Sequence, residues 1–256
     1  MDNPYYGTLF VCAVMLGSVG GLLVVRKYVD IEWLRRHHEV ASFFFLMIGT
    51  LYAVLIAFAI YVVWTQFQDA GANLEREVNE IADLSRMATA LPDPLQKNIQ
   101  TALIAYINSV VDDEFPAMDE GRDSPRTWKA MQNLWNVYKN AEPTDPKSHI
   151  YYAESIKHLN ALADYRRIRL FTSRGTVPQT LWYLLFAGGI ILIAFTYFFG
   201  HESVRWQGAM TAALAGTLAF SLYLIVAYNG PFDGAARVSP EPYKTALQYM
   251  MAGTPQ

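Results

Sequence analysis

Cysteine is nearly missing from this chain: Cys12 is the only one in 256 residues. A disulfide framework needs pairs, and a zinc finger or ribbon needs CxxC spacing, so both are excluded. No HExxH, P-loop, GxGxxG or GxSxG motif occurs, which removes the commonest hydrolase, nucleotide-binding and dinucleotide-binding signatures. The five histidines, His37, His38, His149, His158 and His201, have no cysteine partner. A formal net charge of −3 points to no nucleic-acid partner. The chain thus reads as no enzyme, with no cofactor.

Charge is missing in a second, more informative way. Asp, Glu, Lys and Arg make up 17% of the chain, yet none falls in Asn3–Val25, Val40–Gln68, Gly175–Gly200 or Trp206–Phe232. A helix needs about 20 apolar residues to cross the hydrocarbon core of a bilayer. Only helices and closed barrels satisfy their backbone groups there. Barrel strands alternate over roughly 10 residues, and these runs are longer and unalternating. They predict four transmembrane helices, near 7–25, 41–65, 179–199 and 207–228. The first is not a cleavable signal peptide, because "MDNPYY" supplies no positive flank. No charge lies inside a span, which argues against a proton-coupled pump and suits a pore narrowed by apolar side chains.

The expected fold class is therefore an all-α integral membrane protein with an extramembrane helical domain between spans two and three. The expected divisions are 1–65, a first hairpin; 66–176, the domain; 177–232, a second hairpin; and 233–256, a short tail. Within the domain, Leu74, Val78, Ile81, Leu84, Ala88 and Leu91 recur at helical spacing. Only Gly71 separates them from the second span, so that span should continue to about Ala90, where "LPDP" ends it. A second helix runs through Leu95, Ile99, Leu103 and Tyr106. A third opens at Ser124-Pro125, a cap followed by proline in the first turn. A fourth follows "EPTDP" through Tyr152, Ile156 and Leu159.

Several groups are candidates for function. On the second span, Phe44, Leu51, Leu55 and Phe58 could form an apolar ring around an axis, or serve as ordinary packing. Asp112, Asp113 and Glu114 lie at the C-terminal end of a helix, where the dipole disfavours acids. Solvation as a loop, nearby arginines or a bound cation could offset that, although the spacing is not that of an EF-hand. Arg166, Arg167, Arg169 and Arg174 precede the third span. They could hold lipid phosphates, gather anions at a pore mouth, or pair with Glu75, Glu77 and Glu80. Arg166 and Arg169 share a helix face, and internal pairing is expected for at least one. Gly17 and Gly21 form GxxxG, and Gly208, Ala212 and Gly216 form a small stripe; both read as packing faces within one subunit. His37 and His38 read as interfacial polar residues.

Five stretches together resemble the bestrophin-like domain family of bacterial membrane proteins: "HHEVASFFFLMIGTLYAVLIAFAIYVVW", "VNEIADLSRMATALPDP", "YINSVVDDEFPAMDEG", "YRRIRLFTSRGTVPQTLWYLL" and "GPFDGAARVSP". The resemblance rests on scattered residues, among them Tyr52, Phe58, Trp64, Glu80, Pro116, Arg166, Arg169, Pro178, Pro231 and Gly234. His38-Glu39 and Asn229-Gly230 depart from the family pattern, which tends to carry Asn-Asp and an acidic residue there. The resemblance implies a four-span subunit in the bacterial cytoplasmic (inner) membrane. It further implies a homo-oligomer, a pentamer in bestrophins, conducting small inorganic ions with a preference for anions. A non-conducting scaffold or sensor, whose helical domain binds a partner, stays open beside it. Sidedness also stays open. The four basic residues of "RKYVDIEWLRRHH" place the domain outside the cytoplasm, and the bestrophin layout places it inside.

Overall fold

The computed structural model describes residues 5–143, 145–175, 177–233 and 236–252. Asn3, Thr176 and Gly234, named above, lie outside the described residues. Those residues contain helices and no strand. The elements are α1 (Tyr5–Tyr28), α2 (Ile31–Arg36), α3 (His38–Ala88), α4 (Asp93–Ser109), a π-turn (Val110–Glu114), α5 (Phe115–Asp119), α6 (Pro125–Lys139), α7 (Pro146–Thr172), α8 (Gln179–Tyr197), α9 (Val204–Asn229) and α10 (Glu241–Ala252). Four of them, α1, α3, α8 and α9, are long and apolar enough to cross a membrane.

The chain divides into two units, Met1–Thr65 with Thr176–Asn229, and Gln66–Gly175 with Gly230–Gln256. In the first unit, one stripe of α3 (Tyr52, Ile56, Ala59 and Val63) is buried with Leu185 and Leu192 of α8 and Leu218, Leu222 and Ile225 of α9. Recurrence at intervals of three and four places this stripe on one helix face. Tyr52 sets the α3–α8 spacing. Its ring lies over Gly188, where any Cβ would strike the ring, and its hydroxyl donates to the Leu185 carbonyl. The small residues on α9 face α1, with Gly216 against Met15 and Gly208 against Val19. Gly21 lies under Tyr197 of α8, whose hydroxyl donates to the Ser18 carbonyl at 2.9 Å. Gly17 faces open space. Apart from Gly17, these glycines therefore pack within the subunit. Between α8 and α9, buried Gln207 donates to the Thr196 carbonyl at 3.0 Å, and the Thr211 and Thr196 hydroxyls meet at 3.1 Å. Such bonds between apolar helices fix register where hydrophobicity alone cannot.

The second unit surrounds a core of Leu74, Ile81 and Leu84 of α3, Leu103 and Ile107 of α4, Leu134 and Tyr138 of α6, and Leu159 and Leu162 of α7. The Ser124 cap stands where the sequence places it, its hydroxyl accepting from the Thr127 amide at 3.2 Å; Asp145 caps α7 as well, accepting from the Ser148 amide at 3.0 Å. Gly71 leaves α3 unbroken for all 51 residues, and the helix stops at Ala88 before Pro92.

Three features depart from the sequence expectation. The short loop between the first two spans folds into α2, capped by Asp30. The helix that begins at Asp93 does not end at an acidic loop but passes through a π-turn, in which the Phe115 amide donates to the Val110 carbonyl. Pro116 is the reason: it has no N–H for the carbonyl four residues earlier, and its ring would strike that carbonyl, so the helix widens by one residue. Third, the segment after Phe232 carries a helix, α10, that the sequence expectation does not include. Gly230–Gln256 belongs to the second unit, with Phe232 and Tyr243 of α10 buried edge-on against Phe115 at centroid distances of 5.9 and 6.0 Å.

Candidate functional site

Two groupings stand out, one in each unit. The first is the uncovered side of α3. At 100° per residue, Phe44, Leu51 and Phe58 fall on one face, and Leu55 lies at its edge, toward the buried stripe at Tyr52 and Ile56, and packs against that core. Phe44, Leu51 and Phe58 are 50%, 72% and 64% exposed, and Leu55 is half-buried. No Asp, Glu, Lys or Arg interrupts α3 between Val40 and Gln68. A large bare apolar face on one helix requires lipid or another chain against it.

The second grouping is a charged cluster inside the other unit. Arg169 of α7 has no exposed surface. Its Nε donates to Glu77 Oε2 at 2.8 Å, and one terminal nitrogen donates to Glu77 Oε1 at 3.0 Å and to Glu114 Oε2 at 2.7 Å. Arg166, one turn earlier, donates to both oxygens of Glu114, at 3.2 and 2.5 Å. The Tyr106 hydroxyl donates to Glu77 Oε1 at 2.6 Å. The Arg169 guanidinium sits 5.7 Å from the ring centres of both Phe115 and Tyr243. Two carboxylates and two guanidiniums cancel, which is how four charges are tolerated in a dry core. Burial opposes the charge on Arg169, but Glu77 and Glu114 more than offset it, so its pKa is held well above the ordinary arginine value. Burial also pushes the Tyr106 and Tyr243 phenols well above their ordinary range.

The arginines named from sequence therefore separate. Arg166 and Arg169 are consumed by internal pairing and reach no solvent anion. Arg167 and Arg174 are exposed and pair with Asp164 and with Asp123, the latter at 3.0 Å. Of the three expected acidic partners, only Glu77 meets this cluster; Glu75 is exposed, and Glu80 meets His158. Glu114 is the partner that sequence reasoning missed. Adjacency in sequence groups it with Asp112 and Asp113, but the π-turn directs Glu114 inward while Asp113 bonds Arg126 at 2.8 Å. The structure does not bring these three acids together: Glu114 meets Arg166 and Arg169, and Asp113 meets Arg126. Pro116 was the available signal, since it displaces the helix phase just before it. His37 turns its Nδ1 to the Trp33 carbonyl at 2.8 Å.

Sequence and fold comparisons agree with this architecture. Residues 12–243 match the family described as Bestrophin-like domain. No curated protein matches the chain by sequence. Crystal structures of variants of a bacterial bestrophin homologue from Klebsiella pneumoniae share its fold. One is 16% identical, with a TM-score of 0.77, covering 96% of this chain and 99% of that one. A second is 16% identical, at a TM-score of 0.74 and coverages of 97% and 99%. A third is 14% identical, at 0.72 with 94% and 99%. At such identities the likeness establishes the fold and not the activity. The family match spans most of the chain, and the helices it covers include all four that are long enough to cross a membrane: this protein belongs to the bestrophin-like domain family.

Proposed function

We propose that the chain is one subunit of a symmetric homo-oligomeric ion channel in the bacterial cytoplasmic membrane, with a preference for anions. The observation that carries this reading is the bare, uncharged face of α3 at Phe44, Leu51 and Phe58, edged by half-buried Leu55 and turned roughly 100° from the buried stripe on the same helix. Copies arranged around an axis would cover that face and leave an apolar constriction, which gates by excluding water. The family's bestrophin relatives support an oligomer, and a pentamer is the number the resemblance suggests. Four spans make too thin a bundle to enclose a pore alone. Of the four arginines, Arg167 and Arg174 alone keep exposed surface that could attract anions, each partly offset by Asp164 or Asp123, since Arg166 and Arg169 are sequestered. Lipid surrounds the outward faces of the spans.

The test is purified protein in planar bilayers under chloride gradients. Conductance with a chloride-dependent reversal potential is expected, and Phe58→Ala should raise it by widening the constriction. A parent and a Phe58→Ala variant that are equally silent, or a native mass equal to one 28.9 kDa chain, would overturn the channel. In that outcome α3 is a strut joining a membrane anchor to a partner-binding domain.

A further inference from the structure

Glu80 and Asp83 stand one turn apart on α3, and His158 stands opposite them on α7. The Nδ1 of His158 lies 2.6 Å from Glu80 Oε2 and 3.8 Å from Asp83 Oδ2. The three donor atoms all fall within 4.8 Å of one another, and no other His, Cys, Asp and Glu group converges so closely among the described residues. The side chains are 22%, 18% and 32% exposed for His158, Glu80 and Asp83, so the group is shielded yet open to solvent. Arg86 holds the other carboxylate oxygen of Asp83 at 3.0 Å, leaving Oδ2 turned toward the imidazole. An outer partner that orients a ligating carboxylate in this way is a usual accompaniment of metal sites.

A plain ion pair explains only part of this geometry. One Nδ1–H can serve one carboxylate, and Asp83 at 3.8 Å is not bonded to it. Two carboxylates brought side by side on one helix face repel; Arg86 offsets Asp83 at its other oxygen, and the oxygens turned toward the imidazole are the ones a cation would bridge. Calcium and magnesium take six or more oxygen ligands, whereas here one nitrogen and two carboxylates converge. Zinc takes three protein ligands of this kind and a water. Tetrahedral zinc bonds of about 2.0–2.1 Å place donor atoms roughly 3.3 Å apart. The 2.6 Å and 3.8 Å separations bracket that value, so small rotations of side chains suffice. We infer that Glu80, Asp83 and His158 form a zinc-class divalent cation site that pins α3 to α7 inside the extramembrane unit. The site does not depend on whether the protein conducts.

The experiment uses the full chain in detergent, stripped by chelator and dialysed against zinc. One tightly held zinc per chain is expected, with zinc raising the unfolding temperature. His158→Ala and Asp83→Asn should each weaken binding by at least about tenfold, as loss of a direct ligand must exceed the 10–100-fold effects of outer partners. His37→Ala and His149→Ala should leave it unchanged. If either ligand variant fails to fold, cobalt(II) added to the parent decides. Visible bands of a four-coordinate nitrogen–oxygen site support the assignment, and a six-coordinate aqueous spectrum overturns it. Zinc retained equally by His158→Ala, no zinc in the parent, or displacement by equimolar magnesium would each overturn it as well.

Discussion

Arg169 and Glu77, 92 residues apart in sequence, meet through a 2.8 Å hydrogen bond with neither side chain exposing any surface. Glu114 and Arg166 complete the neutral set, so each member leaves an uncompensated buried charge if it is removed alone. Truncating one partner of such a pair costs about 3–5 kcal/mol. Arg169→Met should therefore lower stability by about that much, and Glu77→Gln should also destabilise by leaving Arg169 short of a countercharge. Arg169→Lys should be damaging too, since an ammonium cannot reproduce the planar fork that reaches Glu77 and Glu114 together. Thermal unfolding followed by monodispersity in detergent checks this. An Arg169→Met protein as stable as the parent would show that the cluster adds nothing.

Gly188 is fixed by Tyr52. A Cβ there meets the ring, whereas Gly20 on α1 has nothing within 4 Å. Gly188→Ala should destabilise by about 1–3 kcal/mol, the usual cost of overpacking. Gly20→Ala should be neutral or stabilising by up to about 1 kcal/mol, the helix preference of alanine over glycine. The Tyr52→Ala, Gly188→Ala double variant should lose less than the sum of the singles. Additive losses would mean that the two residues do not touch.

Alkaline pH should unfold the second unit. Burial pushes the Tyr138 phenol up to about 12, and raises Tyr106 and Tyr243 well beyond the ordinary 10.0. A raised folded-state pKa means that the folded form keeps its proton while the unfolded chain loses it. This contribution to stability is complete below pH 10 and declines as pH rises from about 10 toward 12. Tyrosinate absorbance should therefore rise in two stages, exposed phenols first and the buried ones together with loss of helicity. Tyr138→Phe should flatten the pH dependence of stability in that window. A single smooth titration with helicity intact at pH 12 would contradict the burial of these phenols.

With Cys12 as the only cysteine, a Cys12→Ser background permits clean cysteine scanning of α3. Leu51→Cys and Phe58→Cys should react with a water-soluble thiol reagent and alter conductance, with half-buried Leu55→Cys reacting more slowly. Leu46, 68% exposed and about 160° around the helix from Phe44, should stay unreactive as a lipid-facing position. Reaction at Leu46→Cys with none at Phe58→Cys would place the axis on another face.

Local chemistry made much of this molecule legible. The charge-free runs give four spans because a backbone in lipid has no other way to satisfy its polar groups. Ser124-Pro125 and Pro92 mark a helix start and a helix stop through their own missing or accepting atoms. The path of α3 through Gly71 was also readable, because one glycine weakens a helix without breaking it. The partner of an ionic group is another matter, since pairing is decided by which helices pack together. Arg169 finds Glu77 and Glu114 only once α3, the π-turn and α7 converge. Glu80 meets His158 for the same reason, 78 residues away. Glu114 looked like a member of an acidic run because sequence displays neighbours along the chain. Pro116 shifts the hydrogen-bond register there, and the interior claims the side chain. The segment after Phe232 looked polar and short, yet α10 is held by Tyr243 in a core supplied by distant helices. Sequence by itself determined which segments are helices and which belong in lipid, because both follow from nearest-neighbour chemistry. Which charges meet, and which face of α3 is left bare, was decided only by the tertiary structure, because those depend on contacts that no local pattern encodes.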